Sequence, residues 1–285
     1  MANRYDPVLK SLFLRLGPSL LQQLTGGRQI RAALNVELQQ LRDVRERRVD
    51  LLYELDDDSL LHLDLQAQND WDMPWRELDY RRLLHNLFKR PVRQAVLYVG
   101  EAAMTMPDRI DEPGLAFQYE LIDIRSFTAE ELLATNRPGD AVLAFLASGA
   151  GDRAILARQI VQRVQPLPMA ERRDALVSLL ALSSLRKSAR IVMEVLESMS
   201  LAVDWRENEF LREIHDSALQ EGKREGIQEG KRATLEQMLS QRFGPLPSWA
   251  VDRLHSAQED ELQEALSKVL TAATLQGVLP AAKTN

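Results

Sequence analysis

Hydrophobic and polar residues alternate in the first half of the chain and follow helical spacing in the second half. Alternation predicts β-strands at residues 32–41, 49–55, 60–68 and 115–124. A nearly continuous apolar run at residues 93–100 is typical of an interior strand. Helical spacing predicts helices over residues 6–24, interrupted at Gly17-Pro18, and over residues 74–89.

A change in this pattern near residue 128 predicts an all-helical second half. Thr128 followed by Glu131 has the spacing of a capping box, which begins a helix. From there to about residue 201 the apolar residues keep helical spacing, and no strand is predicted. After residue 233 a helical hairpin follows, broken at "FGPLPSW".

Three glycines spaced four residues apart, Gly222, Gly226 and Gly230, fall on one face of the segment "QEGKREGIQEGKRA". One interpretation is a mobile, partly helical linker, since each glycine inside a helix costs roughly 1 kcal/mol. The other is a small-residue face that a second helix approaches closely, as in a dimer. The predicted organisation is therefore an α/β domain (1–135), a helical region (136–218), a glycine-striped helical linker (219–233) and a small helical domain (234–285).

Composition excludes several classes of protein. The 285 residues contain no cysteine, which rules out disulfides, thiolate nucleophiles and cysteine-based zinc sites. The net charge of −6 counts against a protein that coats nucleic acid nonspecifically, although it leaves room for a local basic groove. No apolar run is long enough to span a bilayer and the N-terminus has no apolar signal core, so we expect a cytoplasmic protein with no membrane partner.

Two aspartates fall opposite each other in the segment "RRVDLLYELDDDSLLHLDLQAQ". The first strand places Asp50 on one face, and the second places His62, Asp64 and Gln66 on one face, opposite a row of leucines. A turn of three aspartates, residues 56–58, sets Asp50 directly across from Asp64, where Cβ atoms lie about 4.5–5.5 Å apart. Two like charges so close repel each other. The pair is tolerable if both are solvated, if one is protonated or if a cation lies between them.

A divalent cation is the specific interpretation of this pair. Mg²⁺ prefers oxygen ligands and often takes only one or two carboxylates. Asp50, Asp64 and the backbone carbonyl of Leu65 would supply such ligands, and Gln66 would orient an attacking water or a phosphate oxygen. The alternative is a polar sheet face whose charges lie in water.

These residues, with "MPWRELDYRRLLHNLFKRPVRQAVLYVG" after them, resemble the PD-(D/E)XK nuclease superfamily. Within it, the chain is similar to the recombination-promoting nuclease or transposase-like branch, in which an acid-x-Gln motif replaces the usual acid-x-Lys. "YDPVLKSLF" resembles that branch's N-terminal helix, and the C-terminal segment is similar to a helical domain of unknown function appended to such proteins. The resemblance covers roughly residues 1–135 and 220–280.

The resemblance implies a restriction-endonuclease-like fold and a DNA endonuclease that uses Mg²⁺ or Mn²⁺. It implies that Asp50 and Asp64 bind the metal, that Gln66 takes the lysine position and that Asp6 is an auxiliary acid. The family's third-strand acid is usually glutamate, whereas this chain has the shorter Asp64, and Gln66 carries no charge. We therefore expect a weak nuclease.

Basic and aromatic residues around the motif have two interpretations each. The arginines and lysines either grip phosphates or form a solvated surface mixed with acids. His62 is either a residue behind the metal ligands or a partly exposed strand residue, and Trp71 and Trp75 either stack on bases or pack onto the sheet. The basic residues are Arg42, Arg45, Arg47, Arg48, Arg76, Arg81, Arg82, Lys89, Arg90 and Arg93.

The sequence thus predicts an α/β nuclease-like domain with a mixed, mostly antiparallel sheet, followed by helices, and DNA as partner. A competing hypothesis from another class is a catalytically inert scaffold that keeps the nuclease fold and forms homo-oligomers through its C-terminal helices.

Overall fold

The computed structural model describes residues 5–34, 37–38, 47–48, 51–135, 137–201 and 209–279. The chain divides into two compact units, Met1–His215 and Asp216–Asn285. The first unit contains all the described strands, and the second is helical. No helix in the described ranges is long and apolar enough to cross a membrane.

A mixed five-stranded sheet lies at the centre of the first unit, with strand order β1-β4-β5-β6-β9. β1 pairs with β4 and β4 with β5 in antiparallel fashion, whereas β5–β6 and β6–β9 are parallel. The prediction of a mixed sheet is confirmed, but antiparallel pairs do not predominate, because the segment between β5 and β6 forms a crossover that returns the chain in the same direction. The strands of this sheet are β1 (Ile30–Leu34), β4 (Leu51–Leu55), β5 (Leu60–Gln66), β6 (Val92–Tyr98) and β9 (Glu120–Asp123).

Four further short strands form two small ladders. β2 (Glu37–Leu38) pairs with β3 (Arg47–Arg48), and β7 (Arg109–Glu112) pairs with β8 (Leu115–Gln118). The predicted strand at 115–124 is in fact two strands. It divides at Tyr119, a buried residue whose backbone N–H donates to the carbonyl of Asp108 at 3.2 Å instead of joining the main sheet.

A three-residue turn joins β4 to β5, as the sequence predicts. The N–H of Leu55 donates to the carbonyl of Ser59 at 2.9 Å and closes the turn around residues 56–58. Asp58 adopts a left-handed backbone conformation, φ 61°, which Asp and Asn tolerate better than most residues. The observed register pairs Leu51 with Leu63 and Leu52 with His62, which is the predicted alignment.

Helix α3 (Met73–Phe88) packs on one face of β5 and β6. Its buried residues Met73, Glu77, Tyr80 and Leu84 recur at helical spacing and form one stripe. Tyr80 and Leu84 pack with Leu60 of β5 and neighbouring apolar residues, while Met73 packs with Val96 and Tyr98 of β6. The opposite face of β5, formed by Leu61, Leu63 and Leu65, is also buried, so β5 is covered on both sides.

The remaining helices of the first unit pack mainly against one another. The predicted N-terminal helix and its break are confirmed: α1 continues as a π-helical turn to Leu16, and Gly17 at φ 48° ends it. The capping box of Thr128 and Glu131 is also confirmed. Helices α1, α2 and α4–α8 are Asp6–Ser11, Leu20–Leu24, Ala129–Ala134, Pro138–Leu143, Arg153–Val164, Met169–Ser184 and Ala189–Ser198.

Arg186 connects the helical part of the first unit to the sheet. Its guanidinium donates to the carbonyl of Val99 at 3.1 Å, directly after β6, and to the carbonyl of Leu146 at 2.9 Å. Backbone carbonyls at the ends of elements have no partner within their own element, and a guanidinium with five donors can satisfy two at once. This contact fixes the end of β6 next to the candidate site.

The second unit has a separate apolar core that includes Leu235, Leu239, Leu254 and Leu262. Its helices are α9 (Glu209–Phe243), α10 (Ser248–Ser256), α11 (Glu259–Lys268) and α12 (Leu275–Val278). Helix α9 runs without a break through the predicted linker, residues 219–233, which is therefore helical along its whole length.

Candidate functional site

Three polar residues of β5, His62, Asp64 and Gln66, lie on the face that α3 covers. His62 is fully buried and Asp64 is 4% exposed. The interpretation of a polar face in water is therefore wrong, as is that of His62 as a partly exposed strand residue. The physical reason is that the crossover from β5 to β6 lays α3 over this face, so its polar groups need protein partners.

The carboxylate of Asp64 accepts two hydrogen bonds from neighbouring side chains. Nε2 of Gln66 donates to Oδ1 at 2.8 Å, and the guanidinium of Arg76 donates to Oδ2 at 3.1 Å. Gln66 and Asp64 lie two residues apart on one strand, so their side chains share a face. A buried carboxylate is tolerated when it is both paired and hydrogen-bonded, which is the case here.

Arg76 is held on both sides. Its guanidinium donates to Oδ2 of Asp70 at 2.7 Å in addition to Asp64, and the nitrogen that contacts Asp64 also lies 2.7 Å from the sulfur of Met73. Asp70 precedes helix α3, and Arg76 lies in its first turn. The start of the helix thus brings a fixed positive charge to the acid of the central strand.

A second buried polar cluster adjoins the first. Nδ1 of His62 lies 3.2 Å from Oε2 of Glu77, and both side chains are fully buried. Nε2 of Gln94 donates to the same Oε2 at 2.7 Å and to the backbone carbonyl of Glu77 at 2.7 Å. Burial raises the pKa of Glu77, and the proximity of Asp64 adds to the increase, while His62 acts in the opposite direction.

Two oxygens of this cluster lack hydrogen-bond partners among the described residues. They are Oε1 of Glu77 and Oε1 of Gln94, both buried. A buried acceptor without a donor costs free energy. A proton on Oε1 of Glu77 would turn that acceptor into a donor and reduce the number of unsatisfied acceptors in the cluster. The raised pKa of Glu77 is in keeping with such a proton.

Of the two aspartates predicted as metal ligands, Asp64 is the one whose side chain the structure describes. No group of three or more His, Asp or Glu side chains that could hold a metal is found within the described ranges. Mg²⁺ needs only one or two protein carboxylates, so the oxygen donors of Asp64 are of the right chemical type. A metal at Asp64 has to compete with Gln66 and Arg76 for the two oxygens.

The other predicted site residues differ in how far the structure describes them. Gln66 contacts Asp64 directly. Leu65, whose backbone carbonyl is the predicted ligand, directly follows Asp64 on β5, and its side chain is buried on the opposite face. Asp50 lies outside the described residues, as does the side chain of Asp6, which begins helix α1.

A polar row crosses the sheet where the parallel strands end. Gln66 pairs with Tyr98, and Tyr98 pairs with Asp123, so the three residues lie side by side on β5, β6 and β9. Arg125 binds Asp123 at 2.6 Å, and its guanidinium lies 5.7 Å from the centre of the Tyr98 ring. Burial tends to raise the pKa of Asp123, but the hydrogen bonds from Arg125 outweigh it and hold the pKa below its ordinary value.

Among the predicted basic residues, Arg76 reaches Asp64, and others bind elsewhere. Arg81 donates to the carbonyl of Val92 at 2.7 Å, and Arg90 binds Glu54 at 3.3 Å near the β4–β5 turn. Arg42 and Arg45 lie outside the described residues. Among these basic residues, Arg76 is the one whose described contacts include Asp64.

Two tryptophans border the start of α3 and face solvent. Trp71 is 69% exposed and Trp75 is 45% exposed. The interpretation that they pack onto the sheet is therefore wrong. Trp71 precedes α3, and Trp75 lies in its first turn directly before Arg76 in the sequence.

Sequence reasoning missed Glu77 and Gln94. In the sequence, Glu77 is one of the acids interspersed with the arginines of this region, and nothing in their alternation marks it as buried. The available signal was the spacing of Met73, Glu77, Tyr80 and Leu84, which puts the glutamate in the middle of the apolar stripe. A carboxylate there must be buried and needs a partner, and His62 is the matching group on β5.

Comparisons with known proteins add no further assignment. No family model matches the chain, and no curated protein or solved structure shows significant similarity to it.

Proposed function

We propose that this protein is a Mg²⁺-dependent endonuclease of the PD-(D/E)XK type that hydrolyses phosphodiester bonds in DNA. The observation that supports it is the placement of Asp64 and Gln66 on one face of the central strand, with Arg76 hydrogen-bonded to Asp64. A carboxylate, a neutral donor and a guanidinium in one place form a set that can bind a cation and a phosphate together.

In this proposal the metal ligands are Asp64, Asp50 and the carbonyl of Leu65. Asp50 directly precedes Leu51, the first residue of β4, and lies outside the described residues, so its role as a ligand is carried over from the sequence. The bound ion would supply charge neutralisation and make a water molecule more acidic. Gln66 orients the carboxylate of Asp64 through its hydrogen bond, and Asp6 remains a proposed auxiliary acid.

The hydrolysis itself has a simple balance. The oxygen of an attacking water forms a bond to phosphorus while the bond from phosphorus to one sugar oxygen breaks. One proton of the water is released to solvent, and the departing sugar oxygen gains a proton. The protein contributes the alignment of water and phosphate and the stabilisation of negative charge in the transition state.

A plasmid-nicking assay tests this function. Supercoiled DNA with Mg²⁺ or Mn²⁺ should be nicked by the wild type and not by Asp50→Ala or Asp64→Asn. Asp72→Asn is the matched control, because Asp72 is exposed and lies directly before helix α3, which covers Asp64. Equal nicking by the wild type and Asp64→Asn would show a contaminating nuclease and would remove the proposal.

A second candidate function is that of a catalytically inert scaffold. The observation that favours it is that both oxygens of Asp64 already accept hydrogen bonds and that Asp64 is almost fully buried. Light scattering of the full chain and of a chain ending at Gln220 distinguishes this function. A loss of self-association on truncation, with no Mn²⁺ binding in titration calorimetry, is the result that the scaffold predicts.

A further inference from the structure

Arg76 has spare hydrogen-bonding capacity at the candidate site. A guanidinium has five N–H donors. The described contacts of Arg76 use one terminal nitrogen for Asp70 and the other for Asp64 and Met73. The side chain is 26% exposed, so part of the group faces solvent while its position is fixed by two carboxylates.

Gln66 is poorly suited to stabilise the negative charge that develops on a phosphate during cleavage. Its amide is neutral, and Nε2 donates to Asp64 at 2.8 Å. Attack on a phosphodiester places additional negative charge on the phosphate oxygens, and cationic donors stabilise that charge more strongly than neutral ones. The residue that brings a permanent positive charge to Asp64 is Arg76, at 3.1 Å.

Asp70 gives Arg76 a second anchor that does not depend on Asp64. The 2.7 Å contact with Asp70 would persist if the carboxylate of Asp64 turned toward a cation. A guanidinium retained in this way has a nitrogen available for a phosphate oxygen next to the metal. Arginine binds phosphate with fixed, directional donors, which suits it to this position.

We propose that Arg76, rather than Gln66, contacts the scissile phosphate and stabilises its developing charge, and that Asp70 holds the guanidinium in place. This inference rests on the proposed nuclease function. It assigns the cationic role to helix α3 and leaves Gln66 to orient Asp64. Asp70 is a positioning residue in this scheme, because it acts through Arg76.

DNA binding without cleavage gives the first test. Affinity for a short duplex is measured by fluorescence anisotropy in EDTA over a series of salt concentrations. Loss of one phosphate contact lowers the slope of log affinity against log salt by about 0.9. We expect this decrease for Arg76→Gln and no change for Arg158→Gln, since Arg158 is an exposed arginine on α6, outside the basic residues predicted to contact phosphates. An unchanged slope for Arg76→Gln would overturn the inference.

Cleavage gives the second test. Removing a donor that stabilises transition-state charge costs roughly 10²–10³ in rate, and we expect a loss of this order for Arg76→Gln. Millimolar guanidinium should restore part of the activity of Arg76→Ala without raising its unfolding temperature. If Arg76 had only a structural role, activity should return only together with stability. Arg76→Lys keeps the charge and should retain part of the activity. This variant therefore tests the role of the charge even if Arg76→Gln fails to fold.

The two proposals fail in different ways. If the wild type cleaves DNA and Arg76→Gln cleaves equally fast while Asp64→Asn is inactive, the role of Arg76 is wrong and the nuclease stands. If the wild type neither cleaves DNA nor binds Mn²⁺, the nuclease proposal fails, and the salt dependence still decides whether Arg76 touches phosphate. Asp70→Asn should weaken cleavage less than Arg76→Gln, because the guanidinium and its charge are still present although less firmly held.

Discussion

Nδ1 of His62 lies 3.2 Å from Oε2 of Glu77, and neither side chain is exposed to solvent. This pair joins the central strand to the helix that carries Arg76, the residue directly before Glu77. Glu77 pairs with His62 and Arg76 pairs with Asp64, so adjacent residues of α3 each contact an alternate residue of β5. The two buried polar clusters are thus carried by the same helix and the same strand.

Glu77→Ala should destabilise the first unit strongly. It removes the partner of His62 and the side-chain acceptor of Gln94. Removing one partner of a buried hydrogen bond leaves the other group unsatisfied, which typically costs about 1–3 kcal/mol of unfolding free energy for each such group. Urea denaturation followed by circular dichroism measures this cost. A loss no greater than that of an exposed-residue control such as Asp72→Ala would show that the pair contributes little.

Glu77→Gln should change how stability depends on pH. The pKa of Glu77 is raised in the folded protein, mainly by burial, so the folded state keeps the proton where the unfolded chain has lost it. That stabilisation is present below the unfolded pKa and is lost as pH rises through the folded value. The glutamine variant has no such titration. Its unfolding temperature should therefore improve relative to the wild type as pH rises from about 4 to 7, and a constant difference would contradict this.

Asp64→Glu should raise nuclease activity if the short side chain is the limitation. One extra methylene moves the carboxylate farther from the strand, toward the exposed side of Arg76. The measurement is the initial rate of plasmid nicking in Mg²⁺, alongside the unfolding temperature, because the site is nearly fully buried and the added volume costs about 1–3 kcal/mol where it does not fit. A stable variant with lower activity would show that the aspartate is already the better ligand.

Trp71→Ala and Trp75→Ala should weaken binding of single-stranded DNA without reducing stability. Both rings are exposed next to the turn that carries Arg76. Stacking of a base on an aromatic ring is worth about 1–3 kcal/mol. Anisotropy with a labelled oligonucleotide measures the loss, and Trp249, 40% exposed in the second unit, is the control. Equal affinity for all three alanine variants would exclude stacking at α3.

Gly226→Ala and Gly230→Ala should stabilise helix α9 by roughly 0.8–1 kcal/mol each, because alanine is the better helix former. A Cβ added at either glycine has no atom of another element within 4 Å. Thermal unfolding tests this, with Gly139→Ala as the opposite case, since its Cβ would lie 2.9 Å from Pro18 and 3.0 Å from the carbonyl of Leu16. If the glycines are instead a dimer interface, the alanine variants should have a lower mass in light scattering.

The sequence predicts the individual strands and helices well, but it does not predict which faces of the sheet the helices cover. Alternation and turn residues locate β5 and the turn at Asp58, because both depend on nearby residues. The burial of His62 depends on α3 lying across that face, which alternation does not encode. Tyr119 likewise interrupts a continuous alternating segment because its backbone bonds outside the main sheet.

The same division applies to the candidate site: residues placed by a single strand can be predicted, and residues placed by packing between elements cannot. Asp64 and Gln66 are recognisable because a strand fixes their common face. Arg76 was one of ten basic residues near the motif, and nothing in their spacing separates it from Arg81 or Arg82. The separation comes from tertiary packing, in which Asp70 and Asp64 meet the same guanidinium.

The short turn between β4 and β5 has a consequence for the order of folding. A hairpin closed by so few residues forms in about 1–10 μs, whereas the parallel contact of β5 with β6 must wait for the intervening helix. We therefore expect Leu52 and Leu61 to be structured early on the refolding pathway and Gln94 late. The strand that carries Asp64 would then be the template on which the rest of the sheet assembles.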